Sequence, residues 1–336
     1  MMPAPDARIA PDARIGVVGA GAWGTALAIT AATHGPVTLW AREADVVEAV
    51  GRTRRNPRFL PGAPIPAGVT ATGDLAALAG CAALLMVTPA QHVRAMLAAL
   101  PAGSAPLLLC AKGLEAGSAA LMSEVAAQTA PARPRAVLSG PSLAHEVAAG
   151  LPAALTLACA DMALGEALLA RLATPRFRLY LGEDVTGAEI GGAVKNVLAI
   201  ACGVAAGARL GDNARAALIA RGFAEMVRYG VARGARAETM AGLSGLGDLV
   251  LTCTAPTSRN FALGAALGRG EPLAALLDGR DSVAEGAATA PVLVADAAAR
   301  GVAMPICTAV AAVLAGELAP AEAVQALLAR PLAREA

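Results

Sequence analysis

Arg14-Ile15-Gly16-Val17-Val18-Gly19-Ala20-Gly21-Ala22-Trp23-Gly24-Thr25-Ala26-Leu27 is the stretch whose reading decides the fold. Residues 15–18 are an apolar run of strand length, residues 19–24 are half glycine, and residues 24–33 continue with small and apolar side chains over a helical length. Gly35-Pro36 stops that helix, and a second apolar run follows at 37–40. Strand, glycine turn, helix and strand make a βαβ unit, whose crossover leaves the two strands parallel. Outward from it, apolar runs recur at 84–87, 106–110, 136–139 and 154–158, with alanine-rich helical segments between several of them. Near-continuous apolar strands are built for burial on both faces, so the N-terminal domain is predicted to be α/β, of Rossmann type, with a mostly parallel sheet. After about Glu189 strand-like runs largely vanish, and Ala/Leu stretches at helical spacing predict an all-α C-terminal domain. Pro5-Asp6-Ala7-Arg8-Ile9 recurs as Pro11-Asp12-Ala13-Arg14-Ile15, and only the second copy runs into a strand. The expected organisation is therefore a loose leader over 1–12, a nucleotide-binding domain over 13–190 and a helical domain over 191–336.

Gly19, Gly21 and Gly24 match G-x-G-x-x-G directly after a strand and at the start of a helix, the context in which each glycine has a job. The first permits the tight turn, the second lets the backbone approach a pyrophosphate, and the third lets helix pack on strand. Ala22 and Trp23 lie in the turn that leads into the helix, whose N-terminal free N–H groups and positive potential suit a phosphate. A dinucleotide cofactor is expected. An acid at the end of the second strand would hold the ribose hydroxyls of NAD, but the sequence there is Leu39-Trp40-Ala41-Arg42-Glu43. Arg42, helped by Arg54 or Arg55, suits the 2′-phosphate of NADP, while Glu43 keeps NAD open; NADP is the preferred expectation.

Composition narrows the rest. A chain of 336 residues suggests two domains, and 56% hydrophobic with 2% aromatic content means cores of Ala, Leu and Val. A net charge of +1 gives no long-range field for nucleic acid or an anionic membrane. Mean hydropathy is +0.58, but the uncharged runs at 16–41 and 95–111 are broken by glycine and proline, so no membrane insertion is expected. Six scattered cysteines without a C-x-x-C pair fit a reducing cytoplasm, and three distant histidines give no metal-ligand spacing. A homodimer is the default for an α/β chain of this size.

Of the 27 basic side chains only Lys112 and Lys195 are lysines. Arginine cannot release its proton in a protein, whereas a lysine is tunable, so two amines among guanidiniums are candidates for proton chemistry or point-like contacts. They lie in Ala111-Lys112-Gly113-Leu114-Glu115 and Gly191-Gly192-Ala193-Val194-Lys195-Asn196. Similar combinations of glycine and polar residues within apolar flanks occur at Ser139-Gly140-Pro141-Ser142, Gly245-Leu246-Gly247-Asp248 and Ser258-Arg259-Asn260. Such stretches bring backbone amides and a few side chains onto a small polar ligand.

Together with Asn56-Pro57-Arg58-Phe59-Leu60-Pro61-Gly62, Arg221-Gly222-Phe223-Ala224-Glu225-Met226 and Val283-Ala284-Glu285-Gly286, these motifs run in an order that closely resembles bacterial NAD(P)-dependent glycerol-3-phosphate dehydrogenase. The resemblance covers nearly the whole chain. It implies a C-terminal domain like that of 6-phosphogluconate dehydrogenase and the reversible reduction of dihydroxyacetone phosphate to sn-glycerol 3-phosphate for glycerophospholipid synthesis. It implies Lys195 as proton donor and acceptor at the substrate C2 oxygen, and Lys112 as a contact to cofactor and substrate. Asp248 would hold a substrate hydroxyl, Ser258, Arg259 and Asn260 would surround the phosphate, and Gly140 and Ser142 would line the pocket. Ala144, Arg259, Val283 and Glu285 would touch the cofactor. Ala22 stands where serine is common and Leu143 where phenylalanine is frequent, changes that remove no charge. A ketoacid reductase of the same architecture is the alternative enzyme, and a nucleotide-sensing module without turnover the alternative class.

Overall fold

The computed structural model describes residues 9, 10, 12–277 and 284–329. Within them the apolar runs become eight strands of one sheet: β1 (Ile15–Val18), β2 (Val37–Trp40), β3 (Val69–Thr72), β4 (Leu84–Met86), β5 (Leu107–Leu109), β6 (Arg135–Ser139), β7 (Ala153–Ala158) and β8 (Phe177–Gly182). Their order is β3-β2-β1-β4-β5-β6-β7-β8, and every neighbouring pair is parallel except β6 with β7. The two strands without a counterpart in the apolar pattern, β3 and β8, are the edges of the sheet. Edge strands keep a wet side, so Val-Thr-Ala-Thr and Phe-Arg-Leu-Tyr, with Arg178 and Tyr180 outward, need no continuous apolar run.

Six helices cover this sheet: α1 (Ala22–Ala31), α2 (Ala44–Thr53), α3 (Val93–Ala99), α4 (Met122–Thr129), α5 (Ala144–Ala148) and α6 (Met162–Leu172). Ile15, Val17, Leu39, Leu85 and Leu108 enter one buried cluster, and Val18, Leu84, Met86, Leu107 and Leu109 enter another. That alternation is the pleat of a sheet covered on both faces. Arginines finish the layer by collecting carbonyls of loops and helix ends. Buried Arg171 donates to the carbonyls of Ala13 (3.0 Å), Ala31 (2.7 Å) and Pro36 (3.4 Å). Arg133 does the same for Ala105 and Pro101. Ile9 is itself buried in the first cluster, so the hydrophobic end of the first repeat is held in the core. Residues 1–8 and 11 lie outside the described residues.

The chain divides into two compact units: the first ends at Glu189, and the second comprises Ile190 onward together with Gly113–Ala119. The second unit is helical. After α7 (Val185–Gly207), which begins in the first unit, come α8 (Asp212–Ala232), α9 (Ala237–Ala241), a π-helical turn (Leu243–Gly247), α10 (Asp248–Thr254), α11 (Arg259–Gly268), α12 (Leu273–Leu277), α13 (Glu285–Ala299), α14 (Pro305–Ala315) and α15 (Pro320–Leu328). Among the described residues α7 alone is long and apolar enough to cross a membrane, and 89% of its most apolar window is buried inside the protein. Its hydrophobicity is spent on packing. Gly203 and Gly207 of α7 face Gly264 and Gly268 of α11 so closely that a Cβ on any of the four would strike opposite backbone, for Gly203 the Phe261 carbonyl oxygen. Buried Glu225 of α8 accepts from the N–H groups of Ile306 (2.8 Å) and Cys307 (3.2 Å), closing the start of α14. Asp296 of α13 accepts from Tyr229, Arg233 and Arg300, and Arg233 also holds the Ala119 carbonyl.

Gly203→Ala is expected to lower the melting temperature by about 5 °C, since overpacking of about 2–3 kcal/mol exceeds the ~1 kcal/mol that alanine gains by helix propensity. Gly51→Ala, at an exposed position of α2 with nothing within 4 Å of the added Cβ, should not lower it. Thermal melts of the two variants decide this.

Candidate active site

The sheet order reverses between β1 and β4, where an open parallel sheet presents its crevice at the carboxyl ends of the strands. The glycine turn sits there. Gly19 has φ +114°, and a Cβ on it would lie 2.9 Å from the Val87 carbonyl oxygen. A Cβ on Gly24 would run into the Gly19 carbonyl oxygen. Gly21 differs: its φ is −63°, and an added Cβ would meet no protein atom within 4 Å. Two of the glycines are therefore demanded by the fold. The third is not: the space a Cβ would take there is open, beside the N-terminus of α1, where a pyrophosphate would be received. Ala22 and Trp23 begin α1, and the Trp23 ring packs 6.5 Å from that of Phe177.

Just past β2, Arg42 is exposed and pairs with its neighbour Glu43 at 2.8 Å. Neither helper read from the sequence is idle. Arg54 donates to the carbonyls of Ile65, Pro66 and Val69, and Arg55 donates to that of Pro61. The A-K-G and S-G-P-S stretches meet in the same unit: Lys112 Nζ donates to the Gly140 carbonyl at 3.0 Å and Ser142 Oγ donates to the same oxygen at 3.2 Å. Gly140 has φ +141°, which fixes this turn at the end of β6, and Ala144 opens the short α5 that follows.

The helical unit holds a second polar cluster. Lys195 Nζ lies 2.6 Å from Asp248 Oδ1 and donates to Thr252 Oγ1 at 2.9 Å, all three residues being buried. Asp248 and Thr252 are one turn apart on α10, so both present to the same point. Asp248 does not cap its helix; Gly247 stands at that position and the carboxylate is committed to the amine. Cys253, next in the chain, has its thiol pushed well above the usual range by a hydrogen bond with Cys202 and by burial, so it stays a neutral thiol. Asn260 Nδ2 donates to Asn196 Oδ1 at 3.0 Å, while Asn260 Oδ1 accepts from the Gly286 N–H at 3.0 Å. Ser258 caps α11 by accepting from the Phe261 N–H. Arg259 begins that helix, is exposed, and makes no hydrogen bond or ion pair with the described residues; the first turn carries no acid. Glu285 begins α13, and Val283 lies outside the described residues.

The N-terminal region of NAD-dependent glycerol-3-phosphate dehydrogenase matches residues 14–165, and the C-terminal region of the same family matches residues 184–325. The chain belongs to the NAD-dependent glycerol-3-phosphate dehydrogenase family. It is 62% identical over 321 residues, 95% of this chain and 97% of the relative, to glycerol-3-phosphate dehydrogenase (NAD(P)+) 1 of Sphingopyxis alaskensis. It is 57% identical to glycerol-3-phosphate dehydrogenase (NAD(P)+) of Caulobacter vibrioides, with 96% and 99% of the two chains covered. The crystal structure of glycerol-3-phosphate dehydrogenase from Coxiella burnetii superposes with a TM-score of 0.91 at 40% identity, covering 96% of this chain and all of that one.

Residues expected to serve a glycerol-3-phosphate dehydrogenase are thus joined by direct contact in two groups, Lys112 with Gly140 and Ser142, and Lys195 with Asp248. Arg42 and Arg259 stand outside both. Thr252 escaped the sequence reading. Its signal was the spacing of four from Asp248 in Gly-Asp-Leu-Val-Leu-Thr, which on a helix puts a hydroxyl beside a carboxylate. Replacing Gly21 with Ala should weaken NADPH at least about ten-fold and leave the melting temperature unchanged, because the added methyl meets only an incoming ligand. Isothermal titration beside a thermal melt checks this, and unchanged affinity would remove the pyrophosphate from the turn.

Proposed function

We propose that this chain reduces dihydroxyacetone phosphate to sn-glycerol 3-phosphate, reversibly, and so supplies the backbone of glycerophospholipids. The observation that carries the reading is the buried Lys195–Asp248 pair, with Thr252, in a chain that otherwise uses arginine almost throughout. Bound NAD(P)H would supply the hydride that converts the C2 ketone to an alcohol. Lys195, held by a carboxylate and a hydroxyl, stabilises the charge that develops on the C2 oxygen and delivers the proton. An ammonium is suited to this; a guanidinium stabilises an anion but is a poor donor. Lys112, on the Gly140 carbonyl, is a positioning contact for cofactor and substrate beside Ser142.

The substrate phosphate is assigned to the start of α11. Arg259 is an uncommitted fork at a helix N-terminus of ten residues, where macrodipole and guanidinium act on an anion together. Ser258 and Asn260 serve this site through the backbone, one capping α11 and the other tying it to Asn196 and Gly286. Gly19, Gly21 and Gly24 with Ala22 and Trp23 receive the cofactor pyrophosphate, and Ala144 and Glu285 belong to the cofactor contacts. Arg42 meets the 2′-phosphate by exchanging its ion pair with Glu43, which favours NADP over NAD. A cytoplasmic setting fits the six described cysteines, all free and buried, and a homodimer is the assembly taken with it.

Steady-state assays with dihydroxyacetone phosphate test the reading. Arg259→Ala should raise KM for the substrate about 30-fold or more and change that for NADPH little, since a charge-assisted bidentate contact is lost from one ligand only. Equal effects on both would contradict the phosphate assignment, and a preference for small 2-ketoacids over dihydroxyacetone phosphate would replace the reaction itself. In the same assays Arg42→Ala should lower the NADPH to NADH preference about ten-fold.

A further inference from the structure

Asn56-Pro57-Arg58-Phe59-Leu60-Pro61-Gly62 belongs to none of the polar groups described above, yet Asn56 is completely buried. Its side-chain amide donates to the Ala20 carbonyl and to Thr25 Oγ1, both at 2.8 Å. Thr25 Oγ1 in turn donates to the Ala20 carbonyl at 3.2 Å, and Asn56 Oδ1 accepts from the Phe59 N–H at 3.2 Å. Each donor and acceptor is used, and the arrangement fixes which end of the amide faces the turn. Ala20 is the residue between the first two glycines of the fingerprint.

The geometry points to Asn56 as a positioning residue for cofactor binding, acting through the Ala20–Gly21 peptide. A trans peptide is planar, with its C=O and N–H pointing in opposite directions. Two hydrogen bonds hold the Ala20 carbonyl toward Asn56 and Thr25, so the Gly21 N–H is held the other way. Gly21 has the backbone freedom of a residue with no Cβ and no neighbour within 4 Å of where one would be. Without this clamp the peptide can rotate, and a donor meant for the pyrophosphate loses its direction. The neighbouring chain stabilises the clamp in turn: Leu60 is buried, its N–H donates to the Asn56 carbonyl at 2.9 Å, and Arg54 ties the following loop to α2. This assignment rests on the cofactor pyrophosphate lying at the Gly19 to Gly24 turn.

Asn56→Asp tests it. The acceptor for Phe59 survives, but an ionised carboxylate turns an oxygen onto the Ala20 carbonyl, whereas a protonated one donates to it again. NADPH dissociation constants for variant and wild type are measured by titration from pH 5.5 to 8.5 and expressed as a ratio at each pH, alongside kcat at saturating cofactor. The ratio should reach about ten at the alkaline end and narrow to about two at the acid end, with kcat and the substrate KM within about two-fold of wild type. A ratio near one throughout, a ratio that does not change with pH, or an equal fall in all parameters overturns the assignment. If that variant does not fold, Thr25→Val, which removes one of the two donors to the carbonyl, should weaken NADPH about three-fold with kcat retained, and no weakening overturns the proposal. Gly21→Ala separates the two readings. If it weakens NADPH and the Asn56 and Thr25 variants do not, only the clamp is wrong; if it has no effect, the pyrophosphate is not at this turn and both fall.

Discussion

An ammonium and a carboxylate 2.6 Å apart inside a helical unit are costly to desolvate, and they persist only where backbone geometry forces them together. That geometry is set one turn away. Gly191 precedes Lys195 by four residues on α7, and Ser244 precedes Asp248 by four. A Cβ on Gly191 would strike the Ser244 carbonyl oxygen, so the absence of a side chain at 191 sets how close α7 comes to the π-helical turn that leads into α10. The same helix then meets α13, where a Cβ on Gly286 would lie 2.5 Å from the Asn196 carbonyl oxygen, and α11, through Gly203 and Gly207. Helix α7 is therefore a spine with three neighbours at backbone contact, two held by its own glycines and the third by Gly286 of α13. Its two central polar residues, Lys195 and Asn196, hold side chains from α10 and α11.

The use of arginine elsewhere has a physical rationale. Arg171, Arg133 and Arg54 each spread several N–H groups over carbonyls of loops and helix ends, with no acid beside them in those contacts. A planar fork with five donors does this better than a point-like ammonium. Cores built from alanine and leucine leave many such carbonyls near the surface of a layer, and arginine serves them without any change of protonation. Lysine remains at 112, on the Gly140 carbonyl, and at 195, on Asp248 and Thr252.

Much of the fold was legible because burial on both faces writes itself as an uninterrupted apolar run. Strands β1, β2, β4, β5, β6 and β7 all announce themselves this way, whereas β3 and β8, wet on one side, carry no such run. The cofactor turn was legible from glycine spacing, and the motif already gives its three glycines different jobs. The coordinates add the physical reason for two of them: backbone crowds Gly19 and Gly24 and leaves Gly21 open. Single-residue roles were harder to read. Ser258 and Asn260 look like ligands beside Arg259, yet their side chains cap a helix and join two others. Asn56 is separated from Ala20 by 36 residues, and no periodicity connects a loop to a turn at that distance.

Exchange of Lys195 for Arg is the most direct measurement, because a guanidinium keeps the charge and the pairing with Asp248 while removing a proton that can be given up. With dihydroxyacetone phosphate and NADPH, kcat should fall about 10²- to 10⁴-fold while NADPH affinity stays at the wild-type level. A Lys195→Arg enzyme retaining more than about a tenth of the wild-type kcat would contradict the account, since charge alone would then suffice at this position.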